Sequence, residues 1–502
     1  MSAENSVSLY FYKYLCKEIG SEDEVRIRRF TYVIEDLGTP ITIVNQITSG
    51  SKVEGLQLKG SDFDVIYIDP LFKVYESERD VVPRFDHCIP LIMETDDTHP
   101  CFTQLHLGNN HDLTFEHDRA KNLFKCRKFS SELYRLYRME DLTKDLDDIN
   151  TSIFKIHGPC LTNLTDTHDF AWCLRCDEWI SQAQPWVSRP RTTWPSPELI
   201  SKIISCGVLY VPIGYKESCN EQIQWRISFS VAEKVLIFSF NHIQLLCYAL
   251  LKILIKEIVE KEEDLKSLLC SYFLKTVMFW MLEESDPSMW RPDSIIPCFM
   301  ACLKRLIYCV EYSTLLHYFI PDYNLIYMRF DVDKKDKITR ILKNSFENGI
   351  YCFALSETLF DLMKLPFSAM DSSLGRRVET LHKLISISFT LHHTTLDLLH
   401  HFLHHSSTQI SRSIFFVLLS FAHQNVPEKL ENQSRSNNKN KYYKYKHDLS
   451  HLLIGTNSDA VGGWLVLASF FYVHENYLLS LYIINHALRK CTDEKYIIGN
   501  PV

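Results

Sequence analysis

The chain has 502 residues, more than one hydrophobic core usually spans, since single cores rarely grow past about 250–300 residues, so two or more domains are expected. Hydrophobic residues make up 46% and charged residues 23%, as in an ordinary globular protein, and a formal net charge of −8 excludes a chain coated in nucleic acid while leaving room for a local basic strip. Sixteen cysteines without regular spacing read as free thiols in a reducing, cytoplasmic setting; no signal-peptide pattern opens the chain, and the longest apolar run, 461–473, falls short of the about 20 residues a membrane span needs.

Residues 7–20 are apolar and aromatic enough for a packed helix, and Arg26, Arg28 and Arg29 follow on a second helical stretch that runs to Gly38. A strand over 41–47 leads into Ser49-Gly50-Ser51, a small-residue turn in which Gly50 lets backbone N–H groups approach an anion and Ser51 adds a hydroxyl. The next strand carries Asp62 and Asp64, which a period of two sets on one face, and Asp69-Pro70 is expected to end it. Two carboxylates on one face repel; a divalent cation, Mg²⁺ or Mn²⁺, relieves the conflict, with an ordinary polar hairpin as the plainer reading. Strands are expected over 89–94 and 102–107, then a basic run from Arg119 to Lys128 and a helix over 130–148.

His168 to Cys176 reads as a strand opened by Asp169, with Asp166 as the competing acidic residue. Pro195 and Pro197 open a helix, 208–212 returns as a strand, and Trp225 to Ser230 reads as a strand on which Arg226, Ser228 and Ser230 share a face. Helical spacing then dominates over 231–258, 265–282 and 297–312, and again over 334–346, 351–363, 376–403 and 413–422. The Asn- and Lys-rich stretch 432–446 reads as an exposed linker, followed by an antiparallel helix pair over 464–472 and 477–488. The fold class is therefore α+β.

Four segments carry a family resemblance: Ser49 to Ile68; Gln224-Trp225-Arg226-Ile227-Ser228-Phe229-Ser230 with Glu233-Lys234; Ser271-Tyr272-Phe273-Leu274-Lys275-Thr276; and Tyr318-Phe319-Ile320-Pro321-Asp322-Tyr323-Asn324-Leu325. In order and spacing the chain resembles, over roughly residues 10–330, the cyclic GMP-AMP synthase-like receptors and the Mab-twenty-one family. The resemblance implies a bilobal nucleotidyltransferase fold: a core lobe over 1–200 with an N-terminal spine helix whose basic face helps bind nucleic acid, and a helical second lobe over 201–332; from Asp333 onward the resemblance fades while the helical pattern persists, an additional helical region over 333–502. It implies that Asp62, Asp64 and Asp169 hold two Mg²⁺ or Mn²⁺ ions and that Gly50 and Ser51 hold a triphosphate. Arg226, Ser228, Ser230, Lys252, Ser271 and Tyr272 would then meet the nucleotide, Tyr272 by stacking on a base.

The activity so implied joins ATP and/or GTP into a cyclic dinucleotide messenger of innate immunity after a double-stranded nucleic acid orders the site. The zinc thumb with which the founding synthase grips DNA has no counterpart between Ser230 and Cys247, so double-stranded RNA is the preferred activator. The rival reading is a catalytically silent Mab-twenty-one-type scaffold that keeps the fold and binds a protein partner through its C-terminal helices. Cys173-Leu174-Arg175-Cys176 has zinc-like spacing without a second pair, and reads as buried thiols. His392, His393, His400, His401, His404 and His405 read as a polar helix face rather than a metal site.

Overall fold

A computed structural model of the chain describes residues 3–38, 45–58, 63–81, 88–108, 118–125, 127–144, 154–163, 168–360, 394–406, 409–427, 438–458 and 461–489. They fall into two compact units, one of residues 1–25 and 43–371, the other of 26–42 and 372–502. The chain opens with α1 (Ala3–Glu18) and α2 (Glu22–Gly38). Ser21 and Glu24 exchange hydrogen bonds in a capping box, the Glu24 carboxylate accepting from the Ser21 N–H at 2.6 Å.

The sheet of the first unit is built from β1 (Asn45–Ser49), β2 (Phe63–Tyr75), β3 (Ile89–Glu94) and β4 (Phe102–Leu107). After α3 (Asp118–Lys121), the ribbon β5 (Phe124–Lys125) and β6 (Lys128–Phe129) joins it, followed by α4 (Ser131–Lys144). Next come β7 (Phe154–His157), β8 (Cys160–Asn163) and β9 (His168–Cys176), then α5 (Gln184–Ser188) and α6 (Pro197–Ile204), and finally β10 (Val208–Val211) and β11 (Gln224–Ser228). β2 and β9 lie parallel at the centre, and each changes its other partner midway. β2 pairs with β1 and then β3; β9 pairs with β8 and then β10. The β4 and β11 ladders close the path between β3 and β10.

Asp69-Pro70 does not end β2, contrary to the sequence expectation. The register against β9 shifts between Ile68 and Lys73, and a bulge tolerates a proline without an N–H. Asp69 turns inward, where it accepts from the Leu71 N–H at 2.9 Å, from the Tyr134 hydroxyl at 2.8 Å, and from the Arg138 guanidinium.

Five longer helices follow: α7 (Ser230–Phe238), α8 (His242–Glu257), α9 (Ser271–Glu284), α10 (Ile295–Glu311) and α11 (Val332–Asn348). The expected single helix over 231–258 is two. Asn241 stops the first and caps the second, its side chain accepting from the Gln244 N–H at 3.0 Å while Gln244 accepts from the Asn241 N–H at 2.8 Å. The helix expected from 265 starts at Ser271, and the segment from Gly349 to Leu355 is a 3₁₀ helix rather than an α-helix. α8, buried almost all round, and the inner face of α10 form the centre of a core that extends to Trp186 and Trp225.

The second unit contains α2 from Arg26 onward with α12 (Thr394–His405), α13 (Gln409–Gln424), α14 (Asn438–Gly455), α15 (Gly462–Val473) and α16 (Tyr477–Arg489). Ile27, Leu399, Phe415 and Leu418 share one small core, with Phe30 edge-on to Phe415 at 5.3 Å. Of the linker expected over 432–446, residues 438–446 are instead the first part of α14, whose Tyr445 ring packs on Phe470 at 5.1 Å, and 432–437 fall outside the described residues. His400, His401, His404 and His405 lie exposed on α12, while His392 and His393 fall outside the described residues. Between helices the structure gathers histidines that the sequence did not single out. His423 Nδ1 meets His451 Nδ1 at 2.6 Å, His451 Nε2 meets His447 Nε2 at 3.2 Å, and His447 meets Asp448 at 3.1 Å.

Two stability predictions arise. Arg138→Ala leaves the Asp69 carboxylate, 1% exposed, uncompensated, and is expected to cost about 3–5 kcal/mol in urea unfolding. Arg291→Ala removes an exposed partner of Asp293 and should cost less than about 1 kcal/mol; equal effects would refute the assignment. Burial, then His451 and His400, hold His423 down to about 4 in the folded chain. The unfolded chain therefore binds a proton first as pH falls, so this unit should keep its stability above about pH 6.5 and lose up to about 3 kcal/mol by pH 4. His423→Gln should flatten that slope in acid titrations of helicity.

Candidate active site

The site grows out of strand register. Asp64 stands directly beside Asp169 across the parallel β2–β9 pair, and Ser49, the last residue of β1, stands opposite Asp64 on its other side. A period of two then puts Ile66, Ile68, Ala171 and Cys173 on the same face as the two carboxylates, where they form one apolar cluster with Leu209 and Val211. Val211 pairs with Arg226 and Leu209 with Ser228, so Arg226 and Ser228 face the same way as Asp64 and Asp169. Ser230 does not continue that alternation, as the sequence reading had it; it is the first residue of α7. Its N–H lies 3.4 Å from the Ser228 hydroxyl, and its own hydroxyl is buried without a hydrogen-bond partner among the described residues.

Gly50 follows β1 at a φ of +89°, a left-handed conformation that favours glycine. The chain coils there into a single turn, with the Glu54 N–H on Gly50 O at 3.1 Å and the Leu56 N–H on Ser51 O at 3.0 Å. Three lysines on three successive helices hold this turn. Lys234 of α7 donates to Thr48 O at 2.9 Å, Lys252 of α8 donates to the Ser51 hydroxyl, and Lys275 of α9 pairs with Glu54 at 2.6 Å. Lys275 and Glu54 are almost fully buried, with side chains 16% and 4% exposed. Burial alone would lower the Lys275 pKa, but Glu54, then Glu233, outweigh it and hold the ammonium above its usual range. Glu233, also buried, is pushed upward chiefly by burial, against the pull of Lys275.

Tyr272 is half-buried near the start of α9, its ring tilted against His317 at 5.9 Å, and Ser271 beside it is exposed. His317 Nδ1 accepts from the Phe319 and Ile320 N–H groups at 3.2 and 3.0 Å, and burial with the nearby Arg226 lowers it to about 3, so it stays neutral. Asp169 accepts from the Thr162 hydroxyl at 2.5 Å. Cys160, one strand over, is raised to about 12 by burial, then by Asp169 and Asp64, and so remains a thiol.

The donors at the carboxylate pair are thus hard oxygens with no thiolate among them, a set that fits Mg²⁺ or Mn²⁺. Asp62 and Asp166 lie outside the described residues, and among those described no group of three or more His, Cys, Asp or Glu side chains converges as a metal site. Cys173 and Cys176 are buried free thiols. The sequence reading assigned Thr162, Glu54, Glu233 and Lys275 no role. The last three lie within the family-like segments, but Glu54 and Lys275 pair across more than 200 residues, which leaves no local pattern.

Two family models match the chain: the Mab-21 protein nucleotidyltransferase domain over residues 150–239 and the Mab-21 protein HhH/H2TH-like domain over 244–344. Asp169, Arg226, Ser228 and Ser230 fall in the first, and Lys252, Ser271 and Tyr272 in the second. Gly50, Ser51 and Asp64 precede both; the β1–β2–β9 pairing and the lysines of α7, α8 and α9 join them to the matched regions. The chain is 28% identical over 144 residues to the cyclic GMP-AMP synthase of Mus musculus, covering 26% of this chain and 28% of that protein. It is 28% identical over 206 residues to a cyclic GMP-AMP synthase-like receptor of Ctenocephalides felis, covering 39% and 46%. Protein mab-21-like 3 of Danio rerio is 26% identical over 180 residues, covering 33% and 42%. The match thus spans less than half the length of each of these relatives. No described helix is long and apolar enough to cross a membrane. The chain carries a Mab-21 nucleotidyltransferase domain followed by the Mab-21 helical C-terminal domain, and it is similar at modest identity to proteins named cyclic GMP-AMP synthase and cyclic GMP-AMP synthase-like receptor.

Proposed function

We propose that the chain is a bilobal, cytoplasmic, metal-dependent nucleotidyltransferase that joins ATP and/or GTP into a cyclic dinucleotide, activated by double-stranded nucleic acid, with RNA preferred over DNA. The observation that carries this reading is the pairing of Asp64 with Asp169 beside the Gly50–Ser51 turn. In it the turn receives the triphosphate through backbone N–H groups and the Ser51 hydroxyl, which Lys252 orients while adding positive charge. Arg226 and Ser228 meet the nucleotide from the sheet, and the buried Ser230 hydroxyl gains the partner it lacks. Tyr272 offers its ring face to a base with little preference among bases.

Asp64 and Asp169, with Asp62, would hold the divalent ions, whose chemistry is to acidify a ribose hydroxyl and to offset charge on departing pyrophosphate. The ribose oxygen bonds to the α-phosphorus, the bond to the bridging oxygen breaks, and the hydroxyl proton leaves for solvent. The chain's residues supply alignment: the Gly50–Ser51 turn and Lys252 fix the triphosphate, Tyr272 fixes the base, and Thr162 fixes the Asp169 rotamer.

Purified chain incubated with labelled ATP and GTP, Mg²⁺ or Mn²⁺, and double-stranded RNA or DNA should form a cyclic dinucleotide. Asp64→Asn and Asp169→Asn should each lower kcat at least about 100-fold without lowering the melting temperature. Lys252→Ala should instead raise the nucleotide KM about tenfold with a smaller change in kcat. No product with any activator, or equal product from the aspartate variants, would favour the silent scaffold.

A further inference from the structure

α16 packs on α15 through its smaller side chains. Ser480, Ile483 and Ala487 are buried, the Ser480 hydroxyl donates to Ala468 O at 2.9 Å, and the His486 ring meets Trp464 at 4.5 Å. The opposite face carries the larger apolar groups in the open. Leu478 is 84% exposed, Leu481 58% and Leu488 57%, and Asn485 between them is exposed as well. Such a face costs solubility unless something covers it.

Its spacing says what covers it. Positions 478, 481, 485 and 488 are separated by three, four and three residues, the a–d–a–d seam of a coiled coil with leucine at three places and asparagine at one a position. We propose that α16 is a self-association seam: a second copy of this chain lays its α16 parallel to the first about a two-fold axis, and Asn485 meets its own counterpart. A self-complementary stripe is what a two-fold interface requires, since each position meets itself. An asparagine within an apolar seam is satisfied when a second amide stands opposite, which the parallel pair provides. In an antiparallel pair Asn485 would face Leu481 and be stranded.

No acidic residue lies on α16, and its flanking positions are Tyr477, Tyr482, Ile484 and Arg489, so no charge pattern selects a different partner helix. A lipid surface fits less well, because a membrane-lying helix carries a belt of lysine and arginine and places no amide in the middle of its apolar face. Tyr472 and Val473 of α15, 63% and 74% exposed, widen the patch beside Tyr477.

The full chain should show reversible dimerisation in sedimentation velocity, with a Kd in the micromolar range, on the order of 1–100 μM for a seam this short. Leu478→Glu/Leu481→Glu should be monomeric throughout that range, with unchanged helicity and melting because both positions are solvent-exposed. Leu488→Cys should form a disulfide-linked dimer under mild oxidation that the parent chain, with its native cysteines, does not form. Parallel d positions lie opposite each other, whereas antiparallel ones would be about 15 Å apart. Four outcomes would overturn the proposal: a parent chain that stays monomeric, a dimer that survives the double glutamate variant, no extra cross-link from Leu488→Cys, or partition onto phosphatidylserine vesicles in place of dimerisation.

Discussion

The parallel pairing of β2 with β9 is the constraint on which the candidate site depends. A parallel ladder has no tight turn to fix its register, so more than 90 residues intervene between Phe63 and His168. What sets the register is the side-chain alternation itself. Ile66, Ile68, Ala171 and Cys173 must share the apolar side under α7, and a slip of one residue would turn all of them to the other face. With the apolar residues in place, Asp64 and Asp169 have no choice but to stand abreast. Like-charged neighbours there are unfavourable for the folded chain, which is why an acidic pair at such a position argues for a cationic ligand more than for stability.

The second requirement is that the Gly50–Ser51 turn stay in front of those carboxylates, and here the helices matter more than the sheet. Lys234, Lys252 and Lys275 reach it from α7, α8 and α9, gripping a backbone oxygen, a hydroxyl and a carboxylate in turn. The Lys275–Glu54 pair is buried, so separating it would leave a bare charge in a poorly solvated place, and the turn and α9 move together or not at all. A ligand that shifts these helices would shift the turn, so its position relative to the carboxylates is sensitive to anything that binds the helical side.

Much of this was legible beforehand, and the failures have identifiable causes. The strand from His168 to Cys176 is readable from its apolar, β-forming side chains, and α6 from a proline in its first turn with Glu198 beside it, to which the structure adds the Ser196 cap. Ser230 was placed on a strand because serines recur at 228 and 230, yet a short alternation cannot tell a strand end from a helix start. Asp69-Pro70 reads as a strand end, whereas the structure carries β2 onward through a register shift with Asp69 turned inward to Arg138. The polar stretch at 438–446 is helical because Tyr445 finds Phe470 and His474, a tertiary contact that composition does not reveal. Glu54, Glu233 and Lys275 were visible as letters, but their meaning lies in contacts between distant segments.

Charge accounting ties these residues to the proposed chemistry. Around the turn and the carboxylate pair the described acidic groups are Glu54, Asp64, Asp169 and Glu233, and the basic ones are Lys234, Lys252, Lys275 and Arg226, four against four. Such a set is close to neutral before any ligand enters, and Glu233, raised by burial, moves it slightly toward positive. A nucleoside triphosphate adds about four negative charges, and in a partly buried pocket each unbalanced charge is expensive. The basic groups do not supply the whole difference, because the four acidic groups already match them in number, Lys275 by its direct pair with Glu54. Two divalent ions would offset the added charge at the oxygen-only carboxylate pair, so metal and nucleotide should bind here in a mutually dependent way rather than independently.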